Sequence, residues 1–393
     1  MTTGSDEAWR GGSAPGADHA FMARAVQLAE LGRFTTDPNP RVGCLIVRDG
    51  DIVGEGWHRR AGEPHAERHA LIEAGKRARG ATAYVTLEPC CHQGRTPPCT
   101  DGLLEAGVAR VVCAMVDPNP LVAGRGLRLL AEAGVAVETG LLEAEARALN
   151  PGFIKRMERG RPYVRCKLAA SLDGRTAMAS GESQWITGEA ARRDVQRLRA
   201  GSSAILTGIG TLLADDPSLN VRLDADDLPG LRPGEAIRQP LRVVLDSLWR
   251  TPAIARILTL PGTTLIVGAV DDPGRMAKLK GAGAEVFLCP GDSGQVDLAA
   301  LMSELARREI NEVLLETGPT LAGAAVSEGL VDEILIYLAP HLMGDAGRGL
   351  FSLPGIERMR DRIPLAIVDV RAVGRDLRIT ARPEPTGSAR APG

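Results

Sequence analysis

The sequence predicts two α/β domains in tandem, and three observations lead there. The chain has 393 residues, more than one hydrophobic core of roughly 250–300 residues usually serves. Strand-like and helix-like segments alternate along most of its length, the pattern of layered α/β folds. The alternation is interrupted by NPGFIKRMERGRP, residues 150–162, with turn residues at both ends. The expected boundaries are a disordered N-terminus over 1–17, a first domain over 18–148, a linker over 149–161, a second domain over 162–383 and a disordered tail over 384–393.

The elements follow in order. Apolar residues recur at helical spacing from Ala20 to Gly32, and Gly32 ends that run. VGCLIVRDGDIVGEGWH reads as a hairpin, because two apolar runs flank the turn dipeptide Asp49-Gly50. PHAERHALIEAGKRA is a helix, and ATAYVTLEP is a strand that runs into a cluster of cysteines. ARVVCAMVD and VAVETGLL are strands, with a helical GLRLLAEAG between them. In the second domain, strands are expected at YVRCKLAAS, AILTG, LRVVLD, TLIVG, EVFLCP, EVLLETG and EILIYLAP, with helices between several of them. The sequence carries no internal repeat.

Composition excludes some functions. With 47 basic and 49 acidic residues the net charge is -2, and aromatics are 3%. There is neither the basic field of a nucleic-acid binder nor the aromatic platform of a single-strand binder. No apolar run reaches the ~18 residues of a membrane span, and the polar, Gly-rich start lacks the apolar stretch of a signal peptide. A cytoplasmic location is expected. In that reducing setting the clustered members of the seven cysteines are metal ligands or catalytic groups rather than disulfides.

His65-Ala66-Glu67 opens the second helix, and Cys90 and Cys99 lie around the end of the next strand. One imidazole and two thiolates suit zinc and leave a fourth position for water, whose pKa the metal lowers to about 7. Glu67 would carry protons. A purely structural zinc site remains an alternative from residue types alone, as does Cys91 in place of Cys90. Cys44, Cys113, Cys166 and Cys289 sit in apolar runs and read as core.

His-x-Glu followed by Pro-Cys resembles the zinc-dependent base deaminases, with a long insert between the cysteines. PCCHQGRTPPC, with TTDPNPRVGC upstream and VDPNP downstream, narrows this. It resembles the deaminase half of the bifunctional riboflavin-biosynthesis deaminase-reductase family. The resemblance implies a cytidine-deaminase-like α/β/α domain with His65, Cys90 and Cys99 on zinc. It also implies that Asn39, His58, His92, Arg95, Asp117 and Asn119 line the pocket of a phosphorylated pyrimidine. From residue type alone, each is equally an ordinary turn residue.

In the second domain Gly208-x-Gly210 is too short for a dinucleotide fingerprint. LLETGPTLAGAAVSEGLVDE places a Gly/Thr/Pro loop between a strand and a helix, where N–H groups favour phosphate. KLAASLDGRTAMASGESQWITG, ARRDVQRLRA, LADDPSLNVR and ETGPTLAGA together resemble the same family's reductase half. That half is similar in fold to dihydrofolate reductase and uses NADPH. The resemblance implies cofactor contacts at Ala169, Trp185, Thr211, Asp215, Gly318, Pro319, Thr320, Leu321, Ala322, Gly323 and Ala324. It implies substrate contacts at Ser183, Arg199, Leu219, Arg222 and Glu316, with the two arginines able to clamp a ribose phosphate. Lys167 precedes Ala169 on the same run and could stabilise or protonate an intermediate.

The expected enzyme therefore removes an amino group from a phosphoribosylaminopyrimidine and then reduces its ribosyl group, with Zn2+ and NADPH as cofactors. The expected assembly is a homo-oligomer, with no nucleic-acid or membrane partner. A nucleic-acid-editing deaminase would need more positive charge. A zinc scaffold would need neither an open ligand position nor Glu67.

Overall fold

The computed structural model describes residues 15–94 and 97–384. Of the expected disordered ends, 1–14 and 385–393 lie outside these residues. Pro15–Ala17 instead open a helix, which Pro15 at its start and Asp18 in its first turn favour. Glu384 is anchored by a backbone hydrogen bond to Pro364. The chain divides into two compact units, Met1–Glu158 with Pro229–Leu231, and Arg159–Leu228 with Arg232–Gly393.

The first unit contains α1 (Pro15–Glu30), β1 (Gly43–Arg48), β2 (Asp51–Trp57), α2 (Ala66–Ala74), β3 (Thr82–Val85), α3 (Cys99–Ala106), β4 (Arg110–Cys113), α4 (Arg125–Glu132), β5 (Ala136–Thr139), α5 (Glu143–Leu149) and α6 (Pro151–Arg159). The expected hairpin forms, with Asp49 and Gly50 both at positive φ (54° and 87°). The five strands run in the order β2-β1-β3-β4-β5. The pairs β1–β2 and β1–β3 are antiparallel; β3–β4 and β4–β5 are parallel. One face of the sheet packs on α2, α3 and α4 through Cys44, Ile46, Ala66, Ala70, Leu103 and Leu130. The other packs on α1, α5 and α6 through Met22, Ala25, Leu45, Tyr84 and Phe153. This is the expected α/β/α layering.

Glycines set how closely the helices lie. A Cβ at Gly54 or Gly56 of β2 would come within 2.2 Å of the carbonyl oxygens of Ala70 and Ala66 on α2. A Cβ at Gly43 would come within 2.0 Å of the Ala25 carbonyl on α1.

The expected linker over 149–161 is a correction. Its middle is α6, whose Phe153 and Ile154 are 7% and 6% exposed in the core of the first unit. Asn150 is buried too. Its side chain donates to the Arg41 carbonyl at 2.9 Å and accepts from the Arg41 N–H at 2.8 Å. The turn residues at both ends bracket a short packed helix, and the units divide at its end, between Glu158 and Arg159.

The second unit contains β6 (Tyr163–Ser171), β7 (Arg175–Ala177), α7 (Glu189–Ala200), β8 (Ala204–Gly208), α8 (Ile209–Asp215), β9 (Leu241–Leu245), α9 (Arg256–Thr259), β10 (Thr264–Gly268), α10 (Pro273–Gly281), β11 (Glu285–Leu288), α11 (Leu298–Arg307), β12 (Glu312–Glu316), α12 (Pro319–Ser327), β13 (Glu333–Ala339), β14 (Arg348–Gly349), β15 (Leu365–Val373) and β16 (Asp376–Pro383). All seven expected strands are present in one nine-stranded sheet of order β11-β10-β9-β8-β12-β6-β13-β16-β15. From β11 to β13 every neighbouring pair is parallel. The added hairpin β15–β16 is antiparallel. The carboxyl ends of β8, β12 and β6 therefore open on one edge, where ligands bind in α/β sheets.

Candidate active sites

His65 stands immediately before α2, and Glu67 lies in its first turn. Cys90 follows β3, and Cys99 opens α3. The Sγ atoms of Cys90 and Cys99 lie 3.5 and 3.4 Å from His65 Nδ1, and the three ligand atoms are within 4.8 Å of one another. One imidazole nitrogen and two sulfurs converging this way fit zinc with an open fourth position. Cys91 is not in the cluster among the described residues, so it does not replace Cys90. The main chain closes the insert, because the Cys90 carbonyl accepts from the N–H groups of Cys99 at 3.0 Å and Thr100 at 3.2 Å. Arg68 of α2 donates to the Pro98 carbonyl at 3.1 Å, which ties the start of α3 to the helix carrying Glu67.

Electrostatics prepare these groups. The hydrogen bond to Cys90 raises the His65 imidazole pKa. Hydrogen bonding with Cys99 holds the Cys90 thiol well below its ordinary value, and sharing that bond pushes Cys99 up. Glu67 is 3% exposed, and burial raises its carboxyl above the usual range.

Asn39 and His58 sit together beside this centre. His58 Nδ1 lies 3.2 Å from the Pro64 carbonyl, which only accepts, so Nδ1 carries the proton. Its Nε2 then accepts from Asn39 Nδ2 at 3.0 Å, and no partner for Asn39 Oδ1 is found among the described residues. Burial, with His65 nearby, lowers His58 to about 4, so the ring is neutral at physiological pH. The His58 and His65 rings meet edge to face, with centroids 5.1 Å apart.

Asp117 and Asn119 lie past the end of β4. Asp117 accepts from the Asn119 N–H at 2.8 Å and is 7% exposed. Burial pushes its carboxyl up to about 6. His92 is exposed in the insert, and Arg95 lies outside the described residues.

In the second unit, Glu316 ends β12 in register with Lys167 of β6. Arg199 of α7 is bidentate to Glu316 at 2.6 and 2.8 Å and also donates to the Asn220 carbonyl at 3.1 Å. Arg199, expected beside Arg222 at the substrate phosphate, is 9% exposed and is held by Glu316, because a buried guanidinium requires a counter-charge. Arg222, 3.0 Å from Asn220 Oδ1, remains for an anion. Burial pushes the Glu316 carboxyl up, but Arg199, Lys167 and Arg222 outweigh it and hold the group low. Burial lowers the Lys167 ammonium, and Glu316 offsets part of that.

Helix α12 starts at Gly318 with no side-chain cap on its N–H groups. A Cβ at Gly318 or at Gly210 would meet nothing within 4 Å. An uncapped nine-residue helix with open space before it fits the phosphates of a dinucleotide. Within the expected stretch, Gly318–Leu321 and Ala324 are partly exposed or exposed. Ala322 and Gly323 are buried, and a Cβ at Gly323 would lie 1.9 Å from the Ser352 carbonyl. Those two are packing positions on the inner side of the helix, so only their backbone could face a cofactor. Leu219 is likewise a core side chain at 2% exposure, leaving only its backbone for a ligand. Thr211 and Asp215 lie on α8, and Ala169 is half-buried on β6. Ser183 is half-buried, two residues before Trp185. Trp185 is 71% exposed, with the Arg192 guanidinium 4.9 Å from its ring centroid.

Sequence reasoning passed over Glu88, Arg68, Asn150 and Arg192. None of the four carried a local signal of its partners.

A family described as the RibD C-terminal domain matches residues 162–379, and the cytidine and deoxycytidylate deaminase zinc-binding region matches residues 15–115. Riboflavin biosynthesis protein RibD of Escherichia coli (strain K12) is 55% identical over 362 residues, which is 92% of this chain and 98% of that protein. The RibD structure of Acinetobacter baumannii, form 1, matches with a TM-score of 0.87 at 46% identity, covering 94% of this chain and 99% of that one. The Thermotoga maritima structure of a diaminohydroxyphosphoribosylaminopyrimidine deaminase/5-amino-6-(5-phosphoribosylamino)uracil reductase matches with a TM-score of 0.80 at 32% identity, covering 94% of this chain and 99% of that one.

The state of Asp117 has a measurable consequence. Its folded pKa of about 6 stands above the ordinary 3.8, so the folded state binds the proton more tightly. Stability is then greatest at acid pH and falls as pH rises through about 6, by roughly 2–3 kcal/mol for this one group. Asp117→Asn is expected to raise the melting temperature at pH 7.5 and leave it nearly unchanged at pH 4. Equal shifts at both pH values would refute this.

Proposed function

The chain belongs to the RibD family of riboflavin-biosynthesis enzymes, and on that footing we propose how its residues divide two consecutive reactions. The protein is a bifunctional deaminase and reductase that uses zinc and NADPH. It deaminates 2,5-diamino-6-(5-phosphoribosylamino)pyrimidin-4-one, then reduces the ribosyl group to give 5-amino-6-(5-phosphoribitylamino)uracil. The observation that carries the assignment of roles is the convergence of His65, Cys90 and Cys99 beside buried Glu67.

In the deaminase unit His65, Cys90 and Cys99 hold the metal. Bound there, zinc supplies water acidic enough to act as a nucleophile near neutral pH. Glu67 takes the proton from that water and passes it to the departing amino group, which leaves as ammonia. A carboxyl raised by burial suits both halves of that transfer. Asn39, held by neutral His58, offers Oδ1 to the pyrimidine edge. Asp117 and Asn119 approach from the other loop, and His92 of the insert is assigned to the phosphate, with Arg95 expected in the same role.

In the reductase unit the α12 N-terminus, with Thr211 and Asp215, would hold the cofactor phosphates and ribose, and Trp185 and Ala169 would hold its nicotinamide end. NADPH supplies the hydride for C1′ of the opened, imine form of the sugar. Lys167 donates the accompanying proton; its lowered ammonium pKa eases that step. Glu316, fixed by Arg199, accepts from the sugar or the ring, with Ser183 and the Leu219 backbone alongside. Arg222 takes the substrate phosphate.

No helix among the described residues is long and apolar enough to cross a membrane. We place the enzyme in the cytoplasm, since the metal site needs free thiols and all seven cysteines are free. We also propose a homo-oligomer joined along β15. That edge strand exposes Ile367 (66%), Val368 (51%) and Val370 (54%). An uncovered apolar edge is a template for a second copy.

Ammonia release and NADPH absorbance, followed together, test the roles. Glu67→Gln is expected to lose ammonia release by about 10²-fold or more and still oxidise NADPH when given the deaminated intermediate. Loss of both activities would remove Glu67 from its specific role. Lys167→Met should slow NADPH oxidation at least ~10-fold; a normal rate would take Lys167 out of the mechanism. Sedimentation of Ile367→Lys/Val370→Lys is expected to give monomers from an oligomeric parent, and an unchanged mass would place the interface elsewhere.

A further inference from the structure

Glu88 sits between β3 and the ligand Cys90, is 3% exposed, and carries a charge that no arginine or lysine answers among the described residues. Its carboxylate accepts four backbone N–H groups instead. Oε2 takes Asp117 at 3.0 Å and Gly124 at 2.8 Å; Oε1 takes Gly126 at 2.9 Å and Leu127 at 3.4 Å. Its own N–H donates to the Met115 carbonyl at 3.0 Å. The bonded amides run from Asp117 to the first turn of α4, so one carboxylate organises the whole connection after β4. A second contact fixes the same pair of segments. A Cβ at Gly126 would lie 2.1 Å from the carbonyl oxygen of Pro89, the residue before Cys90.

We propose that Glu88 is a positioning residue for deamination, locking the metal ligand Cys90 and the loop bearing Asp117 and Asn119 into one rigid piece. The metal-ligand part stands on the contacts alone; the substrate part rests on the pocket roles proposed above. An acceptor with four donors around it cannot be replaced by an amide, because one half of a Gln side chain is itself a donor facing donors. The site then loosens at Cys90 and at the loop together, while Glu67, on α2, keeps its place.

The test uses the full-length holoenzyme and four variants. Glu88→Gln is expected to raise KM for ammonia release ~10-fold with a smaller change in kcat, and to lose zinc to a chelator ~10-fold faster, since outer-shell partners typically contribute 10–100-fold to metal affinity or activity. Reduction of the deaminated intermediate is expected to stay within about twofold, because that chemistry lies in the other unit. Glu88→Asp keeps the charge on a shorter arm. It is expected to fall between the two, and it supplies the reading if the Gln variant does not fold. Val53→Ala weakens the same core from β2 and calibrates general destabilisation. Wild-type zinc retention and KM in both Glu88 variants would overturn the proposal. So would the same changes in Val53→Ala at matched melting temperature. Asn119→Ala with an unchanged KM would sink the substrate reading of the loop, and the zinc arm would still decide the role of Glu88.

Discussion

Helix α2 lies against β2 at a distance that only glycine allows, and the deaminase centre depends on that approach. With Gly54 and Gly56 in the strand, the carbonyls of Ala70 and Ala66 come as near as a Cβ would stand. His65 and Glu67 both ride on the start of this helix. The two cysteines arrive from the other direction, one past the end of β3 and one at the start of α3. Their sulfurs meet His65 within hydrogen-bond range because the helix is neither higher nor rotated on the sheet. A metal site tolerates displacements of only a few tenths of an ångström, so close packing of helix on strand is the condition for the chemistry.

The second unit solves a different problem with the same layered logic. A run of parallel strands brings the ends of β6, β8 and β12 to one edge. Charged side chains gathered there must be paired, since unpaired burial is costly. Glu316 receives both a bidentate Arg199 and the register neighbour Lys167. That arrangement leaves Arg222 and the uncapped α12 N-terminus as the places where positive potential remains unspent.

Much of this was legible in the sequence, and what was not has physical reasons. Local patterns gave the hairpin at Asp49-Gly50 and all seven expected strands of the second unit. The ligand trio was readable because donor type and spacing carry the chemistry directly. The hairpin β15–β16 was passed over. Its alternation around Gly374 was a signal, but β15 is exposed on both faces, so no apolar side marked it as a core strand. The break between the units falls within 150–162, but its helix was hidden because Asn150 and Pro151 are turn residues; here they start a helix, and Asn150 clamps Arg41. Arg199 looked like a free anion site, since nothing local reveals a partner 117 residues away. Glu88 was invisible for the same reason: its partners are backbone amides that no side-chain pattern announces.

The overall charge of -2 conceals two basins of opposite character, and each matches its reaction. Around the deaminase centre burial outweighs the nearby His65 and raises the carboxyl of Glu67, and burial likewise raises that of Asp117. Such a basin attracts a divalent cation and favours a carboxyl that can hold a proton in transit. At the reductase edge three cations surround one carboxylate that they hold ionised. That surplus suits a substrate and a cofactor that both carry phosphate. The phosphate handle stays on the molecule through both steps, so it cannot discriminate substrate from intermediate. On the roles proposed above, selection falls on the groups at the reacting ends, Glu67 with its metal ligands and Lys167 with Glu316.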